Sequence, residues 1–188
     1  VIVDDGSTDN TVETVNSFKD QRLRVFRNTS NLGSAFNHNK CIEYAQSPYI
    51  KFLHQDDLLH RDCLRSQADI LDRNPSVGLV FSSSYAINEH DYILYKRTPP
   101  FSYGIISKGE ILNKYFFQLD YNFIGEPSVG MIRKSVLCNN CLFECDWRSS
   151  DIELWTRINF CHPSFYINKP LTYIRKHSGQ SYFYKRDN

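Results

Sequence analysis

The chain contains no apolar run near the ~20 residues that a membrane-spanning helix needs, and no recognisable signal-peptide pattern. It is therefore expected in the cytoplasm, with peripheral association at the inner face of the membrane as the one membrane role left open. It has almost no net charge: 22 Lys and Arg against 21 Asp and Glu give +1. That balance offers no electrostatic case for nucleic acid as a partner. Repeats, low-complexity tracts and blocks of like charge are absent. So is a glycine-rich loop with Lys or Arg beside the first strand, which a nucleotidyltransferase would use. The six cysteines are scattered, and they read as reduced thiols rather than a disulfide framework. Cys138-x-x-Cys141, with Cys145 and then Cys161 or His162, invites a zinc reading, but only one pair has that spacing.

What remains is a soluble-type composition. The 188 residues are 41% apolar and 23% charged, enough for one domain with a real core. Aromatics are abundant, with 13 Phe and 12 Tyr. They serve either as core or as stacking surfaces for sugars.

The first half alternates strand and helix patterns. Val1–Asp4 reads as strand and Thr11–Lys19 as helix, with Val12, Val15 and Phe18 on one face. Leu23–Arg27 is strand, Asn28–Gly33 a polar turn and Ser34–Ala45 helix. Tyr49–Leu53 is strand, Asp62–Asn74 helix and Val77–Ser83 strand. This alternation predicts an α/β fold with a mainly parallel sheet flanked by helices. The second half is less regular. Asn88–Gly104 reads as loop or hairpin, and Lys108–Tyr115 as helix. Tyr121–Arg133 reads as loop then strand, and Ser150–Asn159 as helix. Phe165–Ile174 reads as two short strands around Asn168-Lys169-Pro170. The division is a single domain, 1–188, with residues 1–85 as a donor half and 86–188 as an acceptor half.

Two strands run into paired acids. Val1-Ile2-Val3 ends in Asp4-Asp5-Gly6-Ser7, where Gly6 permits a tight turn and Ser7 or Asp9 can cap the next helix. Tyr49-Ile50-Lys51-Phe52-Leu53-His54-Gln55 ends in Asp56-Asp57. In open α/β sheets this edge is where ligands bind. Adjacent carboxylates repel unless a cation or donor lies between them. Mn²⁺ or Mg²⁺ bridging a diphosphate would do this; a solvated acidic turn is the plain alternative.

These motifs, in this order, resemble family 2 glycosyltransferases of the GT-A fold, and the resemblance covers essentially the whole chain. It implies that a strand and nucleotide-holding loop normally precede Val1, so the chain is expected to lack them. It implies Asp5 as the acceptor of a uracil N–H and Asp4 as the residue that orients the turn. In the family's Asp-x-Asp motif, His54 stands where the first Asp is usual. Asp56 takes the metal-binding place and Asp57 the following acid. His54 would contact the ribose or the metal. Asn39 falls at the nucleotide, and His38 replaces a family Arg.

Gly125-Glu126-Pro127-Ser128 resembles the loop between donor and acceptor halves, with Glu126 toward acceptor or sugar; a rigid turn is the alternative. Asp151-Ile152-Glu153-Leu154-Trp155-Thr156-Arg157 resembles the Glu-Asp-x-x-Leu-Trp-x-Arg motif, with Ser150 replacing Glu. The resemblance makes Asp151 the general base; helix capping, or Glu153 as base, are the alternatives. Tyr173-Ile174-Arg175-Lys176-His177 resembles the family's tail, with His177 on metal or diphosphate and Arg175 or Lys176 against phosphate charge. The implied reaction is inverting transfer of a sugar from a UDP- or dTDP-type nucleoside diphosphate sugar. The implied acceptor is a hydroxyl of a glycan or lipid-linked molecule, in bacterial surface polysaccharide synthesis. A non-catalytic nucleotide-sugar or glycan-binding module and a sugar nucleotidyltransferase are the alternatives.

Overall fold

The computed structural model describes residues 1–116, 122–137, 142–144 and 150–178. β1 (Ile2–Asp4) turns at Gly6 into α1 (Thr11–Ser17), and β2 (Val25–Arg27) returns parallel to β1. Gly6 sits at φ +81°, and a Cβ there would lie 3.1 Å from the Ser30–Asn31 backbone. Asp9, one of the two expected caps, accepts the Thr11 N–H at 3.0 Å. α2 (Ser34–Tyr44), β3 (Tyr49–Lys51), the short β4 (Leu58–Leu59) and α3 (Cys63–Arg73) follow. Then come β5 (Leu79–Ile87), β6 (Ile93–Arg97), β7 (Gly104–Ile106) and α4 (Glu110–Phe116). β8 (Gly130–Arg133), α5 (Ser150–Cys161) and β9 (Ser164–Arg175) complete the order.

The α/β class holds, but the sheet is mixed rather than mainly parallel. The main ladder runs β3-β8-β5-β9-β4, with β6 on β5 and β7 on β9. Only β1–β2 and β5–β9 pair in parallel among the described strands. β8 lies antiparallel between β3 and β5 and so separates two strands that point the same way. One antiparallel pair, β5–β6, is a hairpin; the others join strands distant in sequence, so local alternation could not reveal them. The predicted loop or hairpin at 88–104 is a hairpin, with β6 antiparallel to β5. The two short strands expected around Pro170 are one strand. Its register against β5 shifts at Ser82–Ser84, where Pro170 lies opposite Ser83. Proline has no N–H to give a ladder, and a bulge absorbs that.

β5 is buried along nearly its whole length, and its alternation sorts the core into two layers. Leu79 and Phe81 join Ile132, Leu154, Trp155 and Ile158 on the α5 side. Val80 joins Leu71, Met131 and Phe165 on the α3 side. The central sheet is thus covered by helices on both faces. α1 differs, because none of its residues is buried and the neighbouring Phe18 is 64% exposed. Cys41, Cys63 and Cys161 are free thiols; Cys138, Cys141, Cys145 and Ser149 lie outside the described residues. No helix among the described residues is long and apolar enough to cross a membrane.

Candidate functional site

β3 delivers its carboxyl end to a turn that carries His54, Asp56 and Asp57. Ligand atoms of these three residues lie within 4.8 Å of one another. Asp57 is 6% exposed. Its Oδ1 accepts the Arg175 N–H at 3.0 Å, while its Oδ2 makes no hydrogen bond. Burial pushes the Asp57 carboxyl above its ordinary value, the Ser128 hydroxyl, the Arg175 amide and His54 oppose this, and Asp56 adds to it. His54 Nδ1 is 3.8 Å from that Oδ2. Asp56 Oδ2 meets His177 Nε2 at 3.1 Å, across 121 residues of sequence. β9 therefore returns the tail motif to the acidic turn.

Arg175 holds this corner together. Its Nε donates to the Asp56 carbonyl at 2.9 Å. Its two terminal nitrogens reach the Asn88 carbonyl and Asp91, both at 2.6 Å. The guanidinium expected to face phosphate is thus bonded to the β5–β6 turn and the acidic turn. Below it, Ser128 is fully buried. Its Oγ accepts the His54 N–H at 3.1 Å, and its carbonyl accepts Lys51 Nζ at 2.6 Å and Thr172 Oγ1 at 3.1 Å. Burial lowers the Lys51 ammonium to about 8, with Cys63 and Asp57 opposing the fall.

The β1 acids organise the neighbouring loops. Asp4 is buried, accepts the Ser7 N–H at 3.2 Å and pairs with Arg27 at 3.2 Å. Asp5 accepts Asn28 Nδ2 at 2.8 Å, Leu32 N–H at 2.9 Å and Gly33 N–H at 3.0 Å. It thereby pins the Asn31-Leu32-Gly33 turn that starts α2. On α2, Asn39 does not reach the acidic corner by any hydrogen bond recorded for it. Its amide pairs with the Phe143 backbone like a second peptide group, donating to the carbonyl at 3.0 Å and accepting the N–H at 2.8 Å. Removing this clamp in Asn39→Ala leaves both backbone groups unpaired and is expected to cost about 1–3 kcal/mol. Urea unfolding would measure it, with Asn39→Asp, which accepts but cannot donate, falling between.

Asp151 sits in the first turn of α5. Its Oδ2 accepts Asn122 Nδ2 at 2.7 Å and its Oδ1 accepts the Ile152 N–H at 2.9 Å. Loss of solvent raises this carboxyl to about 6; the Ile152 amide opposes the rise, Glu126 adds to it and His54 also opposes it. A carboxyl tuned near neutrality suits a general base. Glu153, the alternative base, is instead paired with Arg157 one turn on, at 2.6 Å. Glu126 lies between Arg97, on β6, and Lys176, whose Nζ is 2.7 Å away. Burial pushes its carboxyl up, but the charges and hydrogen bonds of those two cations bring it down to about 2. The preceding Gly125 has φ +115°, and a Cβ there would fall 2.8 Å from the Arg97 guanidinium. Its carbonyl accepts Trp155 Nε1 at 3.0 Å, so the loop is tied to the base helix.

The acidic turn after β3 and the tail of β9 thus meet, with Lys176 of that tail reaching the turn at Glu126, while the β1 acids hold the loops before α1 and α2. The sequence of residues 1–138 matches glycosyl transferase family 2. The chain belongs to that family. An uncharacterized glycosyltransferase of Methanocaldococcus jannaschii is 32% identical over 139 residues, covering 74% of this chain and 45% of its own length. The E. coli protein WfaP, a β-1,3-glucosyltransferase acting from UDP-Glc on GlcNAc-diphosphoundecaprenol, is 29% identical over 111 residues, covering 57% of this chain and 43% of its own. Among solved structures, S. aureus TarS with UDP-GlcNAc superposes with TM-score 0.71 at 20% identity, over 95% of this chain and 49% of that one. The mannosyltransferase PcManGT of Pyrobaculum calidifontis, with GDP-Man and Mn²⁺, gives 0.62 at 17% identity, over 96% and 48%. These likenesses establish the GT-A fold. The chain spans about half the length of the relatives it matches.

The acidic corner fits a divalent cation on its own chemistry. A buried carboxylate oxygen without a hydrogen bond faces an imidazole nitrogen, with a second Asp–His pair beside it. Several residues of this site were not legible in sequence. Asn122, Lys51 and Arg97 carry no motif that marks them, and Ser128, though it closes the Gly125–Ser128 motif, has no role that the sequence assigns to it. Each is found only through its contact with another residue: Asp151, the Ser128 carbonyl, Glu126 and His54 respectively.

Proposed function

We propose that the chain is the catalytic region of an inverting glycosyltransferase. It would move a sugar from a UDP- or dTDP-type donor to a hydroxyl of a glycan or lipid-linked acceptor in surface polysaccharide assembly. The observation that supports the reading is the meeting of Asp56 Oδ2 with His177 Nε2 at 3.1 Å, which brings the tail motif to the acidic turn of His54, Asp56 and Asp57. The named substrates of WfaP support the donor and acceptor classes.

In this reading Asp56 and His177 hold Mn²⁺ or Mg²⁺, with Asp57 beside them. Bound there, the cation supplies Lewis-acid stabilisation of negative charge on a departing diphosphate. Asp5 and the turn it pins receive the nucleotide. Glu126, fixed as an anion by Arg97 and Lys176, borders the space between donor and acceptor. Asp151 accepts the proton of the acceptor hydroxyl as its oxygen attacks the anomeric carbon and the sugar–phosphate bond breaks. Arg175 acts by holding the corner rather than by meeting phosphate.

Calorimetric titration of UDP with Mn²⁺, repeated with chelator, tests the donor site. UDP binding should weaken at least about 10-fold without metal and likewise in Asp56→Ala. Equal affinity in all three conditions would move the nucleotide away from this corner.

A further inference from the structure

β6 runs antiparallel to β5 and β9 runs parallel to it, so residues of the three strands line up in rows across the sheet. Arg97, Ser84 and Thr172 form one row. Tyr95, Ala86 and Ile174 form another, two residues away on every strand. Both rows lie on the same face of the sheet, because side chains alternate with period two and the register shifts fall outside this stretch. That face carries the loop of Glu126. Thr172 donates to the Ser128 carbonyl and Arg97 to the Glu126 carboxylate. Lys176, two residues past Ile174, reaches the same carboxylate at 2.7 Å. Arg97 and Lys176 thus approach from opposite sides of the Tyr95 row, and Glu126 is held over it. Within the row Ala86 and Ile174 are buried, whereas Tyr95 is 50% exposed. An open aromatic ring therefore borders an anchored anion, in a loop that Trp155 ties to the helix of Asp151.

The geometry points to Tyr95 as the platform on which a sugar ring of the acceptor stacks, with Glu126 receiving hydroxyls of that ring. The inference rests on the reading of the chain as a glycosyltransferase, and it makes the unit that enters beside Asp151 a sugar. A pyranose has a face of C–H groups edged by hydroxyls. The face of an aromatic ring carries the negative part of its quadrupole, which suits polarised C–H groups. The hydroxyl edge needs hydrogen-bond partners once water is displaced. A carboxylate has about four acceptor positions. Arg97 and Lys176 make three contacts to Glu126, so capacity for a hydroxyl remains. An alkyl chain laid on the same place would strip water from three charges and return nothing to them. A phosphate group would meet a carboxylate of its own sign.

The probe is octyl α-D-GlcNAc, which carries the sugar of the WfaP acceptor on a short alkyl chain, with octanol as the sugarless control. Saturation-transfer NMR on the 188-residue chain with UDP and Mg²⁺ should show magnetisation reaching the sugar ring protons. Tyr95→Ala is expected to weaken probe binding about 10-fold, and Tyr95→Phe, which keeps the ring, to stay within about 3-fold of the parent. UDP affinity should not change in either variant. Tyr92→Ala, at the turn end of the hairpin and 71% exposed in the parent, should bind the probe as the parent does. Circular dichroism controls for folding. Equal probe affinity in Tyr95→Ala and parent would overturn the inference. So would saturation confined to alkyl protons with octanol bound as well, or a parent that binds UDP and ignores the probe. These outcomes leave the glycosyltransferase reading standing; a folded parent that binds neither UDP nor probe would overturn both.

Discussion

Asp151→Asn should bind UDP as the parent does and lose sugar transfer by about 10²–10⁴-fold, the usual contribution of a positioned general base. Asparagine keeps one acceptor oxygen, for the Ile152 N–H or for Asn122 but not both, so the turn that opens α5 loses one of these two bonds. What it removes is the group that takes the acceptor proton. The pH profile gives an independent check. Below about 6 the Asp151 carboxyl holds its proton, so transfer should rise through that pH and then level. Stability moves the other way. The folded carboxyl titrates near 6 against 3.8 for the ordinary group, so the folded state binds more protons between those values. Its contribution to stability is present below about 3.8 and is lost as pH climbs to about 6. Asp151→Asn lacks that loss and should gain on the parent across the window. Persistent turnover in the variant would assign the base elsewhere. Binding without turnover in the parent would favour a non-catalytic binding module.

Trp155→Ala is expected to be the most destabilising single change, by about 3–5 kcal/mol in denaturant unfolding. Trp155 is fully buried in the layer between β5 and α5. A Cβ on Gly130 would lie 3.3 Å from its ring, so the ring also sets how closely β8 approaches. Its Nε1 donates to the Gly125 carbonyl. Trp155→Phe separates the two functions. It keeps most of the apolar volume, leaves that buried carbonyl unpaired, and should cost about 1–3 kcal/mol. It should also loosen the loop that carries Glu126, so its effect on transfer should exceed that of an equally destabilising core change. A Phe variant within about 0.5 kcal/mol of the parent would mean that the indole hydrogen bond contributes little.

The site was legible where chemistry coincides with an element boundary. Acids at the ends of β1 and β3 and at the start of α5 stand out because periodicity stops where they begin. Partners set by sheet register left no local trace. Asn39 and Phe143 are 104 residues apart, and Lys51 and Ser128 are 77. Asn39 was expected at the nucleotide and instead holds the segment that stacks on His38, because an amide can mimic a peptide wherever the fold brings a free one alongside. The tail resemblance set Arg175 or Lys176 against phosphate charge; the bonds Arg175 makes are decided by where β9 ends beside the β5–β6 turn. The mixed sheet was hidden for the same reason. Alternating strands and helices report the first half well, but nothing local reveals that β8 slots between β3 and β5.

β1 and β3 each pair on one side only among the described residues. An unpaired strand edge is a row of exposed amide and carbonyl groups that will template another strand. The two edges differ in how they are guarded. β3 carries Lys51, a buried cation that resists an incoming apolar strand, whereas β1 has only Ile2 and Val3 before Asp4. Beside β1 lies the uncovered stripe of α1 and Phe18. Among the described residues, the flank near β1 therefore sets an unpaired backbone edge beside exposed apolar side chains.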